Sequence, residues 1–156
     1  MMLMNRIRCC SSLSLHILKS GDTFRQTRIY SNQDILEYSK VAHDLNPLHF
    51  NCETAQNAGF KDRIVHGMLV SALFPQIISS HFPGAVYVSQ SLHFRQPVYI
   101  GDEVVGVVQA INIRENKKRY FTKFSTKCFK NGELIVDGEA MAILSSLAVE
   151  QVHSLG

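Results

Sequence analysis

Apolar residues recur at helical spacing in the first half of the chain and at alternate positions in the second. Thr23 to Tyr30 mixes β-formers with polar residues and predicts an edge strand. Ser31 then opens a helix: Asp34, three residues on, supplies the reciprocal partner of a capping box, and Ile35, Tyr38 and Ala42 keep one apolar face up to Asp44. A short second helix is expected from about Cys52 to Ala58, stopped by Gly59. The most distinctive stretch is Val65 to Phe82, VHGMLVSALFPQIISSHF, which carries no Asp or Glu and predicts a helix buried on most sides. Pro75 should kink or reset it midway, and Pro83-Gly84 ends it.

Beyond Gly84 the pattern alternates. Val86, Val88, Leu92 and Phe94 fall on one strand face, and Val105, Val107 and Ile111 on another. Tyr120 to Lys130 and Glu133 to Ser145 predict two further strands joined by Asn131-Gly132, a type I′ hairpin signal. Arg114 to Arg119 reads as a charged turn. One apolar helix followed by four antiparallel strands suggests an α+β hot-dog domain, an antiparallel sheet wrapped around a central helix. Such a sheet leaves an edge to cover, which makes a homodimer plausible. A plain sheet-and-helix monomer satisfies the same periodicity.

At 156 residues the chain accommodates one domain and one active site. Its 46% hydrophobic and 19% charged residues are a globular composition, and no apolar run approaches a membrane span. The net charge of +3 is too slight, and too dependent on the N-terminus, to indicate nucleic-acid binding. Cys9, Cys10, Cys52 and Cys128 form no CxxC pair and no zinc-like spacing, so neither a metal framework nor a disulfide framework is expected. Cys52, three residues after His49, reads as a small buried side chain rather than a nucleophile. Residues 1–20 contain Arg6, Arg8 and Lys19, several serines and no acid, the composition of a mitochondrial presequence. The expected organisation is therefore a presequence over 1–20, a folded domain over 21–148 and a tail over 149–156.

The candidate chemistry lies in Asp44-Leu45-Asn46-Pro47-Leu48-His49, a carboxylate and an imidazole held across a proline-stiffened bend. Asp and His can hold a water or hydroxyl between them, each moving a proton the other does not. Turn chemistry selects the same residue types, so the segment alone also fits an ordinary helix stop.

Asp44-x-Asn46-Pro47-x-His49, then Ala55 and Gly59-Phe60, then Ile64-Val65-His66-Gly67-Met68-Leu69, together resemble the MaoC-like hydratase 2 signature of (R)-specific enoyl-thioester hydratases and 3-hydroxyacyl-thioester dehydratases. The resemblance continues through Ser89-Gln90-Ser91-Leu92-x-Phe94 and Pro97-Val98-x-x-Gly101-Asp102-Glu103-Val104. Ala42-His43 departs from the small residue or acid usual before the catalytic Asp. The resemblance implies acid/base work for Asp44 and His49. Gly67, in the first turn of the buried helix, would offer a backbone N–H to the enolate-like thioester oxygen. Close helix packing would also select a glycine there. This chemistry asks for no cofactor or metal.

Asn46 is expected to orient the loop, His66 to cap the helix or line the pocket, and Met68, Leu69 and Leu73, with Phe74, to line the acyl pocket. The substrate would be a thioester of acyl carrier protein or coenzyme A, in the mitochondrial matrix. Lys61 and Arg63 lie just before the Gly67 helix, where they could meet the acidic carrier or phosphates, although a solvated basic loop is the default reading. His81-x-x-Gly84 resembles the motif of the other hot-dog dehydratase family in the wrong order, ending the helix instead of preceding it. The lack of a helix carboxylate sets a thioesterase behind a lyase, and the retained Asp–His pair sets a non-catalytic thioester binder there too.

Overall fold

In the computed structural model, residues 15–150 are described. Thr23–Ile29 forms β1, and Ser31 caps the helix α1, Asn32–Ala42, through the expected reciprocal box with Asp34. His43 closes α1 in the left-handed region at φ 55°. A single 3-10 turn, Pro47–His49, and the short helix α2, Cys52–Asn57, follow.

The long apolar stretch divides into α3, Gly67–Ser71, and α4, Leu73–His81. The start expected at Val65 moves to Gly67 because His66, at φ −56° and ψ 125°, is still outside the helical region, continuing the extended course of Val65, whose N–H donates to the Val98 carbonyl at 2.7 Å. The break falls at Ala72, one turn before Pro75, which cannot donate to the Ser71 carbonyl and crowds it with its ring.

The strands β2 (Val86–Gln90), β3 (His93–Phe94), β4 (Glu103–Asn116), β5 (Arg119–Lys130) and β6 (Glu133–Leu144) complete one six-stranded antiparallel sheet. The order is β1-β4-β5-β6-β2, with β3 also paired to β6, so β1 is an edge strand as its mixed sequence suggests. The strand expected across Val86 to Phe94 is two short pieces, because a bulge between Tyr87 and Ser89 and the Ser91-Leu92 gap break its pairing with β6. Its apolar face is not a core face: Val86, Val88 and Phe94 are all more than half exposed. On β4 the buried positions are Val104, Gly106, Val108 and Ala110, while Val105 and Val107 lie on the opposite, outward face. Valines occupy both faces here, so alternation locates the strand without choosing its inner side.

The sheet wraps the helix. Leu73, Phe74, Ile77 and Ile78 of α4 are buried against it, each such side chain stabilising the fold by roughly 1.5–3 kcal/mol. Gly106 allows the approach, since a Cβ there would stand 3.2 Å from both Leu73 and Ile77. At the far end of α4, His81 packs on Phe24 and its Nδ1 meets the Glu150 carbonyl at 3.1 Å, a structural role for the misplaced motif.

The folded unit extends past the expected 21–148 bounds at both ends. Leu18 is buried, its N–H donates to Leu147 at 2.8 Å, and the Val149 N–H donates to His16 at 2.9 Å. Cys9, Cys10 and the rest of 1–14, with 151–156, lie outside the described residues.

Candidate active site

Local chemistry builds the loop from Asp44 to His49. The Asn46 N–H donates to Asp44 Oδ1 at 3.2 Å, and Asn46 Oδ1 accepts from the Leu48 N–H at 3.2 Å. These two side-chain-to-backbone bonds and the fixed φ of Pro47 set the bend, so Asn46 orients the loop. One Asp44 oxygen is thus spent on the turn, leaving Oδ2 for other work.

His49 is 7% exposed, and its Nδ1 lies 2.8 Å from the Ile64 carbonyl. A carbonyl only accepts, so Nδ1 carries the hydrogen and Nε2 of the neutral ring presents its lone pair. That Nε2 stands 4.0 Å from Asp44 Oδ2. The separation is too long for a direct hydrogen bond, yet an oxygen can sit about 2.8 Å from both atoms at once.

Both groups open onto a cavity of about 360 Å³ whose wall includes Phe60, Gly67, Met68, Phe94, Val98 and Val136. Gly67 is the first residue of α3, so its N–H has no partner within the helix. A Cβ on Gly67 would lie 2.6 Å from the Phe94 ring, so close packing is one reason for glycine here. The packing occupies the Cβ direction and leaves the N–H as a separate feature of the same residue.

A family description, MaoC like domain, matches residues 18–128. The chain belongs to the MaoC-like family. It is 63% identical over 148 residues to a mitochondrial 3-hydroxyacyl-acyl-carrier-protein dehydratase of Arabidopsis thaliana, covering 93% of this chain and 89% of that one. It is 57% identical over 141 residues to a second mitochondrial dehydratase of that name from Solanum lycopersicum, covering 90% of this chain and 86% of that one. Among solved structures, an (R)-hydratase from A. caviae involved in PHA biosynthesis superposes with a TM-score of 0.74 at 33% identity, over 80% of this chain and 96% of that chain. The fold of this MaoC-like chain is accordingly the hot-dog fold.

In this MaoC-like site the expected residues divide. Asp44, His49, Gly67, His66 and Met68 meet at the cavity, and Asn46 holds the loop beside it. Leu69 and Leu73, with Phe74, are buried in the sheet-facing core, and Val70 takes the wall position expected of them. Leu73 packs on Gly106 of β4, whereas Gly67 and Val70, three positions apart on α3, share the face toward the cavity. Phe94, Arg95, Gln96, Val98 and Val136 are wall residues that sequence reading missed. The β3–β6 pairing and its continuation to Ile135 bring Phe94, Arg95, Gln96 and Val136 there, the Val65–Val98 backbone bond brings Val98, and Phe94 and Val98 belonged to motifs already singled out.

Arg95 at this wall is held by Asp137 at 2.9 and 3.4 Å. The Arg63 guanidinium binds Asn32 at 3.1 Å, and the Lys61 N–H donates to the Tyr99 hydroxyl. Cys52 is exposed and outside the cavity wall, with its thiol pushed up by desolvation and then by the Asp62 carboxylate, so it is a poor nucleophile.

Asp44, His49 and His66 place ligand-type atoms within 4.8 Å of one another. The two imidazoles are stacked, with centroids 3.6 Å apart and planes at 25°, and His66 Nε2 is engaged by the Asp44 main-chain carbonyl and the Ser39 hydroxyl. A metal needs free lone pairs that converge on one point, and a nitrogen that donates its hydrogen to a carbonyl offers none.

Proposed function

We propose that the protein is a hydro-lyase that interconverts (3R)-hydroxyacyl and trans-2-enoyl thioesters, with the acyl group on acyl carrier protein in fatty-acid synthesis of the mitochondrial matrix. The observation that carries this reading is the 4.0 Å gap between Asp44 Oδ2 and His49 Nε2 at the cavity, wide enough for one shared oxygen. Agreement with the dehydratases named above supports the carrier and compartment.

In dehydration one member of the pair takes the C2 proton while the other gives a proton to the departing C3 hydroxyl. The pair carries one transferable proton before the reaction and one after it, the proton taken from C2 replacing the one given to the hydroxyl, and the water formed occupies the gap. As negative charge develops on the thioester oxygen, the Gly67 N–H at the start of α3 is the proposed donor to it. Hydration runs the same steps backward.

The (R)-hydratase likeness favours a second reading, hydration of enoyl-coenzyme A in fatty-acid degradation. Matched acyl-carrier-protein and coenzyme A substrates of several chain lengths separate the two. Higher kcat/KM on the carrier protein is expected, and preference for coenzyme A would replace synthesis with degradation. In the same assay a crotonyl thioester should lose its conjugated absorbance without releasing free thiol. Thiol release would indicate a thioesterase, and no change a non-catalytic binder.

Two further elements belong to this proposal. The β2 edge with its exposed Val86 and Val88 supports a homodimer, to be read by sedimentation. Import would remove an N-terminal presequence, leaving a mature chain that retains His16 and Leu18, since both are tied to the C-terminal strand segment.

A further inference from the structure

His66 is 1% exposed and touches every part of the proposed acid/base apparatus. It is the residue immediately before α3, so its backbone leads directly into Gly67. Its ring is stacked on His49, tilted against Tyr38 of α1 at 4.8 Å, and edge-on to Phe50. Its Nε2 lies 3.3 Å from the Asp44 main-chain carbonyl and 3.2 Å from the hydroxyl of Ser39, itself buried on α1.

These contacts define the ring's state. A carbonyl only accepts, so Nε2 bears the hydrogen, shared between Asp44 and Ser39, and Nδ1 keeps the lone pair. Nδ1 is buried without a hydrogen-bond partner among the described residues. An unpaired lone pair is tolerable there, whereas a second N–H on a charged ring would be costly. Burial accordingly holds the imidazole below its ordinary pKa, with His49 acting in the same direction and the Asp44 carbonyl and carboxylate opposing. The groups facing the ring are thus Tyr38 and Ser39 from α1, Asp44 from the loop, and His49 and Phe50 from the turn.

We infer that His66 is a positioning residue, a neutral imidazole that pins the Asp44 backbone through Nε2–H and backs the His49 ring so that both proton-transfer groups face one point. The inference rests on the Asp44–His49 reading above. His66 borders the cavity and its Nε2 stands 4.0 Å from Asp44 Oδ2, but the Nε2 hydrogen is directed at the Asp44 carbonyl and Ser39, so its role is to hold Asp44 rather than to move a proton. It acts on turnover through the gap it maintains, and displacement of such groups by about 1 Å can cost on the order of 100-fold.

Three variants test it on crotonyl thioester. His66→Phe keeps a stackable ring and loses the donor. His66→Gln places an amide N–H near the position of Nε2. His66→Asn places it about one bond short. The expected result is a 10- to 100-fold fall in kcat with KM within about twofold for Phe and Asn, and recovery of most of kcat in Gln. If Phe retains kcat within twofold, or Gln and Asn fall equally while both remain folded, the inference is overturned. Should Phe fail to fold, the Gln–Asn comparison decides alone. Asp44→Asn and His49→Ala run beside them: activity surviving in those would overturn the underlying acid/base reading instead.

Discussion

Asp44 Oδ2 and His49 Nε2 face each other across 4.0 Å, each held by a hydrogen bond on its far side, Asp44 by the Asn46 N–H and His49 by the Ile64 carbonyl. The geometry is that of two groups waiting for an oxygen between them. Asp44→Asn and His49→Ala should each lower kcat by at least about 100-fold, the usual size of a lost general acid or base. Thermal unfolding should be little changed for Asp44→Asn, whose side chain is half exposed. Enoyl absorbance reads the first effect and circular dichroism the second.

Gly67 separates packing from oxyanion donation. Gly67→Ala keeps the N–H and pushes a Cβ against Phe94, whose ring is 55% exposed and can swing away. KM should change more than kcat. Gly67→Pro adds the same Cβ with two further methylenes and removes the N–H at a first helical position, where proline is tolerated and where the His66 backbone, φ −56° and ψ 125°, already suits a following proline. A further 100- to 1,000-fold loss of kcat in Pro relative to Ala is expected if the N–H stabilises the oxyanion. Equal kcat in the two variants would leave Gly67 with packing alone.

Stability should fall on the acid side partly through His66. Its folded pKa lies below the ordinary 6.5, so below that value the unfolded chain binds a proton that the folded chain refuses. The stability from a neutral His66 is present above about pH 6.5 and is lost as pH falls toward the lower folded value. Thermal unfolding from about pH 7 to 5 should show a steeper decline in Tm for the wild type than for His66→Gln.

The N-terminal segment should carry stability out of proportion to its length. A chain starting at Asp22 loses buried Leu18, the two backbone bonds to Leu147 and Val149, and the 2.8 Å contact of His16 with Asp22. It should be less stable by about 3 kcal/mol than a chain starting at Leu15, from one buried leucine and two hydrogen bonds. Urea unfolding of the two measures this. N-terminal sequencing of the processed protein should find its first residue upstream of His16.

The β4–β5 turn offers a stabilising change. Lys117 and Lys118 adopt φ 49° and 62°, where a side chain is strained, and Asn131-Gly132 shows the sequence such a turn prefers. Lys117→Asn with Lys118→Gly should raise Tm by a few degrees without altering turnover.

Features that neighbouring residues settle among themselves were readable along the chain. The Ser31–Asp34 capping box, the Asn131-Gly132 hairpin and the bend through Asn46-Pro47 are each complete within a few residues, so their chemistry is legible without a partner. The Asp44–His49 pair was legible for the same reason, one rigid turn joining the two. The tertiary structure decided everything that depends on which face meets what. Val104 rather than Val105 turns inward, and Val70 rather than Leu69 or Leu73 lines the cavity. Leu18 joins the core, and His66 stands behind His49. Apolar residues on both faces of a strand or helix look alike along the chain, and only the packing of distant segments distinguishes them.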